Sequence, residues 1–306
     1  MNQSKKKKYY IHNFYSSDNN YSKSGFFVVR MSLFITSLNS GSNGNCYYIG
    51  NEKEAILVDA GISCREIEKR IKRLGLSIQT VKAIFVSHEH SDHIRGLASL
   101  SRKHQLPVYI TAATLRDGRL FLDKQLVKAF KPFEPIRIGE LTINAFPKLH
   151  DATDPYSFVV SCNKIKVGIF TDIGTPCENL IHHFQQCHAA FLEANYDEDL
   201  LENGKYPHYL KNRIRGEKGH LSNNQALELF RAHKPSFMSH LFLSHLSENN
   251  NCPDLVEKLF KLHAQSTKII IASRYEETAV YQIGHLPNNN LSRPAAVSFT
   301  QLQFTF

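Results

Sequence analysis

The sequence lacks a long apolar run. Although 42% of its 306 residues are hydrophobic, no stretch of about 18 consecutive apolar residues occurs. A membrane-spanning helix is therefore excluded, and no membrane partner is expected. The apolar patch at 26–29 is too short for the hydrophobic region of a secretory signal. The hydrophobic content is nevertheless ample for a buried core, which predicts a globular protein.

The cysteines lack CxxC spacing. The six of them are scattered along the chain, at positions 46, 64, 162, 177, 187 and 252. Free thiols in a reducing compartment fit this pattern best, so a cytoplasmic location is predicted.

Positive charge is concentrated at the N-terminus. Of the net charge of +9, residues 1–30 contribute +5, because they hold six Lys and Arg residues against one Asp. We predict that residues 1–30 form a disordered basic extension, and Met31 is a second candidate start. The +4 of the remaining chain is compatible with a polyanionic partner such as nucleic acid, and equally with an ordinary solvated surface.

The chain from Met31 to about Ile283 shows no repeat and no long linker. One domain is predicted over 31–285, followed by a tail at 286–306. Short apolar runs alternate with helical patterns, which predicts an α/β fold that opens with an antiparallel β-meander. Helices are predicted at 64–74, around 94–100, after Pro176 and at 222–233. Strands are predicted at 33–38, 46–49, 55–59, 83–86, 107–110, 141–145, 158–161, 167–170, 189–192, 237–243, 268–272 and 279–283.

The segment 87–93 reads Ser-His-Glu-His-Ser-Asp-His and directly follows a predicted strand. In an extended loop His88 and His90 project to the same side, whereas Asp92 and His93 turn into the next helix. One loop therefore offers ligands to two metal ions. A chance cluster on a polar surface loop is the weaker interpretation of so dense a pattern.

A dinuclear site needs about seven ligand atoms, so other parts of the chain must complete it. His150, Asp172 and His245 each follow a predicted strand. Taken singly, they are equally explained as a surface histidine, a helix N-terminal residue and a strand-end histidine. Their order and strand-end positions together favour ligation. Imidazole and carboxylate ligands without thiolate suit two divalent ions, Zn²⁺ or Mn²⁺, with Fe²⁺ as a further option.

These motifs resemble the metallo-β-lactamase superfamily over about 31–285. The resemblance implies a four-layer αββα sandwich of two mixed β-sheets flanked by helices. It implies that Asp59 orients the metal-binding loops without itself binding metal. It also implies that one ion takes His88, His90 and His150, that the other takes Asp92, His93 and His245, and that Asp172 bridges them.

Several segments are similar to the YycJ/WalJ-type branch, a bacterial group associated with DNA exonuclease activity and related to the RNase Z and β-CASP nucleases. Tyr196 departs from this pattern, because His is expected there in many relatives, and we assign it no metal role. The similar segments are 40–47, 170–174, 192–197, 219–223 and 243–250.

His220, two residues before Ser222, resembles the His-x-Ser/Thr element of RNase Z-like nucleases, where the histidine assists phosphate recognition or protonates the leaving group. The simpler interpretation is a residue just outside a helix N-terminus, although that terminus would itself favour a phosphate. We expect His220 and Asp92 to take part in catalysis. The expected substrate contacts are Ser222, Ser247 and Asn249.

The predicted function is that of a two-metal phosphodiesterase, a 5′-to-3′ DNA exonuclease whose nucleophile is a hydroxide between the ions. Three alternatives stay open: a small-molecule hydrolase of the lactonase, thioesterase or glyoxalase II type, a non-catalytic regulatory metalloprotein linked to cell-wall two-component signalling, and a structural domain without metal. Both a monomer and a homodimer are compatible with the sequence.

Overall fold

The structure, a computed structural model, describes residues 32–284. The predictions of a disordered extension at 1–30 and of a tail at 286–306 lie outside the described residues. Within residues 32–284, every helix is too short or too polar to traverse a lipid bilayer. The described residues form two β-sheets of seven strands each, with helices on their outer faces.

Seven strands form the first sheet: β1 (Leu33–Asn39), β2 (Cys46–Gly50), β3 (Ala55–Val58), β4 (Val81–Phe85), β5 (Val108–Tyr109), β6 (Val127–Lys128) and β14 (Tyr281–Ile283). Their order is β14-β1-β2-β3-β4-β5-β6. Pairing is antiparallel from β14 to β3, which confirms the predicted meander, and parallel from β3 to β6.

Seven further strands form the second sheet: β7 (Ile136–Ile138), β8 (Leu141–Pro147), β9 (Tyr156–Cys162), β10 (Ile165–Phe170), β11 (Ala189–Glu193), β12 (His240–Ser244) and β13 (Lys268–Ile271). Their order is β13-β12-β11-β10-β9-β8-β7, antiparallel from β7 to β10 and parallel from β10 to β13. Both sheets are therefore mixed, as predicted.

The helices cover the outer faces of the two sheets. They are α1 (Cys64–Arg73), α2 (Ser91–Ile94), α3 (Leu97–His104), α4 (Ala112–Asp117), α5 (Glu178–Phe184), α6 (Glu198–Asn203), α7 (His208–Arg215), α8 (Asn223–His233) and α9 (Pro253–Lys261). One apolar core lies between the sheets. A second joins the first sheet to α1 and α3, and a third joins the second sheet to α5, α8 and α9. These layers confirm the predicted αββα sandwich, because each sheet buries both of its faces.

Two predicted elements differ most from the observed ones. The helical pattern around 94–100 is split into α2 and α3, since Gly96 lies against the backbone of the loop after β3, where a Cβ atom would be 2.0 Å from the carbonyl oxygen of Ile62. The strand predicted at 237–243 begins only at His240. It is preceded by a turn in which the N–H of Met238 donates to the carbonyl of Pro235 at 3.1 Å.

Candidate metal centre

The predicted site residues lie where strands end. Asp59 and His245 directly follow β3 and β12, and Asp172 is the second residue after β10. All three adopt left-handed backbone angles, with φ of 62°, 56° and 56°. Non-glycine residues rarely adopt this conformation, and it clusters at functional sites. The chain turns sharply at each strand end, which brings the three side chains to one edge of the sandwich.

The loop between β4 and α2 is held by hydrogen bonds to Asp59, which is fully buried. One carboxylate oxygen accepts from the backbone N–H of Ser87 at 2.8 Å. The other accepts from the Ser87 hydroxyl at 2.8 Å and from Nδ1 of His93 at 2.7 Å. Asp59 therefore holds Ser87 and His93 of the histidine loop through hydrogen bonds, and its role in orienting metal ligands stays a prediction.

Three histidines form the first group of candidate ligands. His88 and His90 come from the loop, and His150 comes from the segment after β8. Each offers a ring nitrogen within 4.8 Å of the others, and Nε2 of His88 lies 3.0 Å from Nδ1 of His90. Three imidazoles at this spacing match one half of a zinc site with an open position.

The second group contains Asp92, His93 and His245, whose donor atoms also lie within 4.8 Å of one another. Oδ2 of Asp92 is 3.4 Å from Nε2 of His93 and 3.5 Å from Nε2 of His245. Asp172 lies between the two groups: one of its oxygens is 3.4 Å from Nε2 of His93, and the other is 3.8 Å from Nε2 of His150. All seven side chains proposed as ligands are thus brought together.

Hydrogen bonds select which ring nitrogen faces the cluster. Nδ1 of His150 donates to the carbonyl of Gly219 at 3.1 Å, and Nδ1 of His245 donates to Glu193 at 2.8 Å. In both rings, Nε2 is therefore the nitrogen that remains available to bind a metal ion. Nε2 of His150, Nε2 of His245 and Oδ2 of Asp172 are buried and have no hydrogen-bond partner. A buried polar atom without a partner raises the free energy of the fold. Bound cations would give all three atoms a partner, so this set of ligand atoms fits divalent metal ions.

The charges around the cluster separate the histidines into two kinds. Burial lowers the pKa of His88 well below its ordinary value and lowers that of His150 to about 3. Burial acts in the same direction on His93 and His245, but the carboxylate of Asp172 opposes it. The pKa of His93 is raised well above its ordinary value, and that of His245 is raised to about 10. The cluster therefore attracts positive charge most strongly beside Asp172.

The carboxylates respond in the complementary way. Burial raises the pKa of Asp172, but His245 and His93 outweigh it and hold this pKa well below its ordinary range. Burial likewise opposes ionisation of Asp92, and the neighbouring His93 and His245 again lower its pKa. Both groups are ionised at neutral pH and offer negatively charged oxygen ligands.

Glu193 is a member of the site that was not predicted from the sequence. It ends β11, is fully buried, and accepts from Nδ1 of both His220 and His245 at 2.8 Å. Its second oxygen accepts from the backbone N–H groups of Ile173 and Leu221. Burial raises its pKa, but His220 and His245 outweigh this and lower the pKa to about 2. The only available signal was an acidic residue at the end of an apolar run.

Lys148 is a second unpredicted member. It is buried, and its ammonium group donates to the carbonyl of Thr171 at 2.7 Å, next to Asp172 in the chain. Burial lowers its pKa, while the carboxylates of Asp172 and Asp59 oppose that effect. A buried cation here partly balances the acidic side chains of the site.

The residues proposed to contact substrate lie in different environments. His220 is half-buried, with its ring 5.2 Å from those of both His150 and His245. Ser222 is buried, donates to Glu198 at 2.6 Å and accepts from the N–H of Gln225 in the capping box of α8. Its hydroxyl is therefore engaged within the protein in this conformation.

Nearer the surface, the partly buried Ser247 accepts from Asn250, and the exposed Asn249 donates to Tyr206.

Tyr196 is a further neighbour of this region. Its ring is buried, and its backbone pairs with Ser222 in an isolated β-bridge. The decision to give this position no metal role stays a prediction.

Comparison with known proteins places this geometry in a family. Residues 54–245 match the model of a β-lactamase superfamily domain. The chain is 34% identical over 230 residues to the exodeoxyribonuclease YycJ of Bacillus anthracis, across 74% of this chain and 86% of that protein. It is 30% identical over 223 residues to the exodeoxyribonuclease WalJ of Streptococcus pneumoniae strain D39, across 71% and 83%.

A solved structure has the same fold. The crystal structure of the metallo-β-lactamase fold protein YhfI from Bacillus subtilis superposes with a TM-score of 0.64 at 18% identity, covering 82% of this chain and 99% of that one. The predicted resemblance and the predicted fold are both confirmed. The chain belongs to the metallo-β-lactamase superfamily and is a metal-dependent hydrolase.

Proposed function

We propose that this protein is a two-metal phosphodiesterase that degrades DNA as a 5′-to-3′ exonuclease. The observation that carries the proposal is the convergence of seven ligand side chains beside His220, which Glu193 holds at 2.8 Å. Two relatives named exodeoxyribonuclease match most of their own length to this chain, which favours DNA over a small molecule. The polarity is proposed from the similarity to that branch.

In the proposed site, His88, His90 and His150 would hold one ion, and Asp92, His93 and His245 would hold the other. Asp172 would contribute to both, because its two oxygens face different histidines. When bound, two divalent ions supply a water activated near neutral pH and offset the charge of the phosphate. Asp59 and Glu193 fix the rings of His93 and His245 through Nδ1, which keeps Nε2 turned towards the centre.

His220 is the proposed proton donor. Because Nδ1 of His220 is engaged by Glu193, its Nε2 is the nitrogen left to face substrate. A proton on Nε2 is suitably placed to pass to the departing sugar oxygen as the phosphodiester bond breaks. The buried carboxylate of Glu193 holds the ring in this orientation through its hydrogen bond to Nδ1. Asp92, with Oδ2 between His93 and His245, is proposed to assist as well as to bind metal.

A cavity of about 350 Å³ lies beside the segment that follows His245 and is proposed to receive the strand. Its lining includes Leu246 and Ser247, which directly follow the ligand His245, together with Arg274 and Tyr275. Two guanidinium nitrogens of Arg274, Nε and Nη1, are buried without a hydrogen-bond partner, and the ring of Tyr275 is 70% exposed. An arginine and an aromatic ring offer a phosphate contact and a stacking surface for a base.

The proposed location is the cytoplasm. All six cysteines are free thiols, three of them buried and three partly buried. Free thiols are the rule in reducing compartments, which also contain the proposed substrate.

The test is a substrate comparison with purified full-length protein and added Mn²⁺ or Zn²⁺. DNA labelled at its 5′ end should release label at once as short products, whereas 3′-labelled DNA should shorten gradually. Thioester and lactone substrates should be cleaved at most slowly. Efficient thioester or lactone hydrolysis without DNA degradation would replace the nuclease by a small-molecule hydrolase. Full metal content without any hydrolysis would favour the regulatory alternative.

A further inference from the structure

A second group of metal-ligating side chains lies on the helical layer that covers the first sheet. Cys64 is the first residue of α1, and Glu68 follows it four residues later on the same helical face. His104 is the last residue of α3. Because α1 and α3 pack together in one apolar core, the three side chains meet between the two helices.

Their donor atoms are close enough to share one ion. Sγ of Cys64 lies 3.7 Å from Oε1 of Glu68, and Nε2 of His104 lies 2.6 Å from the same oxygen. All three atoms lie within 4.8 Å of one another, and all three residues are partly buried. Tetrahedral zinc, with bonds of about 2.0–2.3 Å, needs donor atoms roughly 3.3–3.8 Å apart. The Cys64 distance already fits, and a small rotation of His104 would open the shorter one.

We propose that Cys64, Glu68 and His104 bind one Zn²⁺ ion, with water as the fourth ligand. A thiolate, an imidazole and a carboxylate form a ligand set that zinc readily accepts. The spacing of four residues along α1 presents two of the ligands from adjacent turns of one helix, as in other helical zinc motifs. This ion is separate from the centre at the sheet edge, where no thiolate is among the ligands.

Lys103 would compete with the ion for the carboxylate of Glu68. Its ammonium group lies 2.7 Å from Oε1 and 2.9 Å from the other oxygen of Glu68. The Lys103 side chain is 59% exposed, so it is free to swing into solvent when a divalent ion takes its place. Without an ion, the same side chains form an ordinary surface ion-pair network, which is worth little to stability.

Zinc binding requires the Cys64 thiol to lose its proton to solvent. Burial, together with the charge of Glu68, raises the pKa of this thiol, so at neutral pH the proton competes with the metal. Affinity should therefore rise as the pH rises towards the thiol pKa, with one proton released from Cys64 for each ion bound.

The proposed ion would link the two helices that follow the metal-binding loops. The N-terminus of α1 comes shortly after Asp59, and α3 begins four residues after His93. A ligand set shared by the two helices would restrain them relative to each other. We assign the ion a structural role, with no part in hydrolysis.

Cobalt provides the test, because a thiolate ligand gives Co²⁺ a charge-transfer band in the near ultraviolet that imidazole and carboxylate ligands do not give. Reduced full-length protein, stripped with chelator, is titrated with Co²⁺. The wild type should show the band and one bound ion more than Cys64→Ser, which should lack the band. His104→Ala should weaken binding at this site. Cys252→Ser, the same change at another partly buried cysteine near the start of a helix, should keep both.

Two results would overturn the proposal. The first is a wild-type protein that binds Co²⁺ without the band, because then no thiolate ligates the metal. The second is a band that persists in Cys64→Ser, because another cysteine would then be the ligand. None of these variants alters the seven side chains of the sheet-edge centre, so nuclease activity measured in parallel reports on the proposed function separately.

Discussion

The carboxylate of Glu193 lies 2.8 Å from Nδ1 of His220, and the same oxygen accepts from Nδ1 of His245. A proposed metal ligand and the proposed proton donor are therefore oriented by one buried acid. Glu193 accepts four hydrogen bonds in all, two of them from backbone N–H groups. This arrangement would link the geometry of the proposed metal centre to the position of the proposed leaving-group acid.

Replacing Glu193 by Gln should therefore disturb both functions together. The amide has one acceptor oxygen for four donors, and it places two N–H bonds where acceptors are needed. Loss of a residue that orients a metal ligand typically costs about 10- to 100-fold in metal affinity or activity. Metal content and kcat on DNA measure the effect. Glu257 on α9, which is partly buried and pairs with Lys261, supplies the control change Glu257→Gln. Equal behaviour of the two variants would contradict the role.

His220→Ala should keep its metal and lose rate. General acid catalysis contributes about 100- to 10,000-fold, so kcat should fall within that range while elemental analysis shows the wild-type metal content. A substrate with a much better leaving group than a sugar alkoxide should recover most of the loss. Wild-type kinetics in the His220 variant would remove the residue from the mechanism.

Two substitutions at Asp172 separate the effect of its charge from the effect of its backbone conformation. Asp172→Asn and Asp172→Ala both remove the bridging carboxylate, so both should lose bound metal and nearly all turnover. Asn tolerates the left-handed conformation at φ 56°, whereas Ala adds strain of about 1 kcal/mol. Denaturant unfolding should rank Ala below Asn in stability. Retained turnover in Asp172→Asn would show that the bridging charge is dispensable.

Arg274→Ala should weaken substrate binding more than chemistry. If the guanidinium contacts a phosphate, the KM for DNA should rise, and the logarithm of the affinity should fall less steeply with the logarithm of salt concentration, by about one unit of slope. The exposed Arg137 on β7 is a matched arginine outside the cavity, and Arg137→Ala should leave the slope unchanged. An unchanged slope in Arg274→Ala would show that the DNA strand does not bind in this cavity.

Local spacing explains what was predictable. The His88–His93 loop was recognisable because dense histidines follow an apolar strand, and its partners were recognisable because each follows a strand within three residues. The helix predicted at 222–233 is confirmed as α8, which begins with a capping box at Ser222. The Ser222 hydroxyl also donates to Glu198 in this conformation, and its contact with substrate stays a prediction.

Tertiary contacts explain what was not predictable. Glu193 is one acid at the end of a strand, and only the fold brings His220 and His245 to it. The left-handed angles at Asp59 and Asp172 depend on chain direction after each strand and leave no compositional mark. Other missed elements are short or weakly patterned: β6 has two residues, and α7 has no fully buried side chain.

Anomalous diffraction from crystals of the full chain grown with Mn²⁺ tests the central claim most directly. We expect two manganese peaks about 3.5–4 Å apart. One should lie among His88, His90 and His150, and the other among Asp92, His93 and His245. Asp172 should contact both ions. A single peak, or manganese bound away from these side chains while the crystals still degrade DNA, would contradict it.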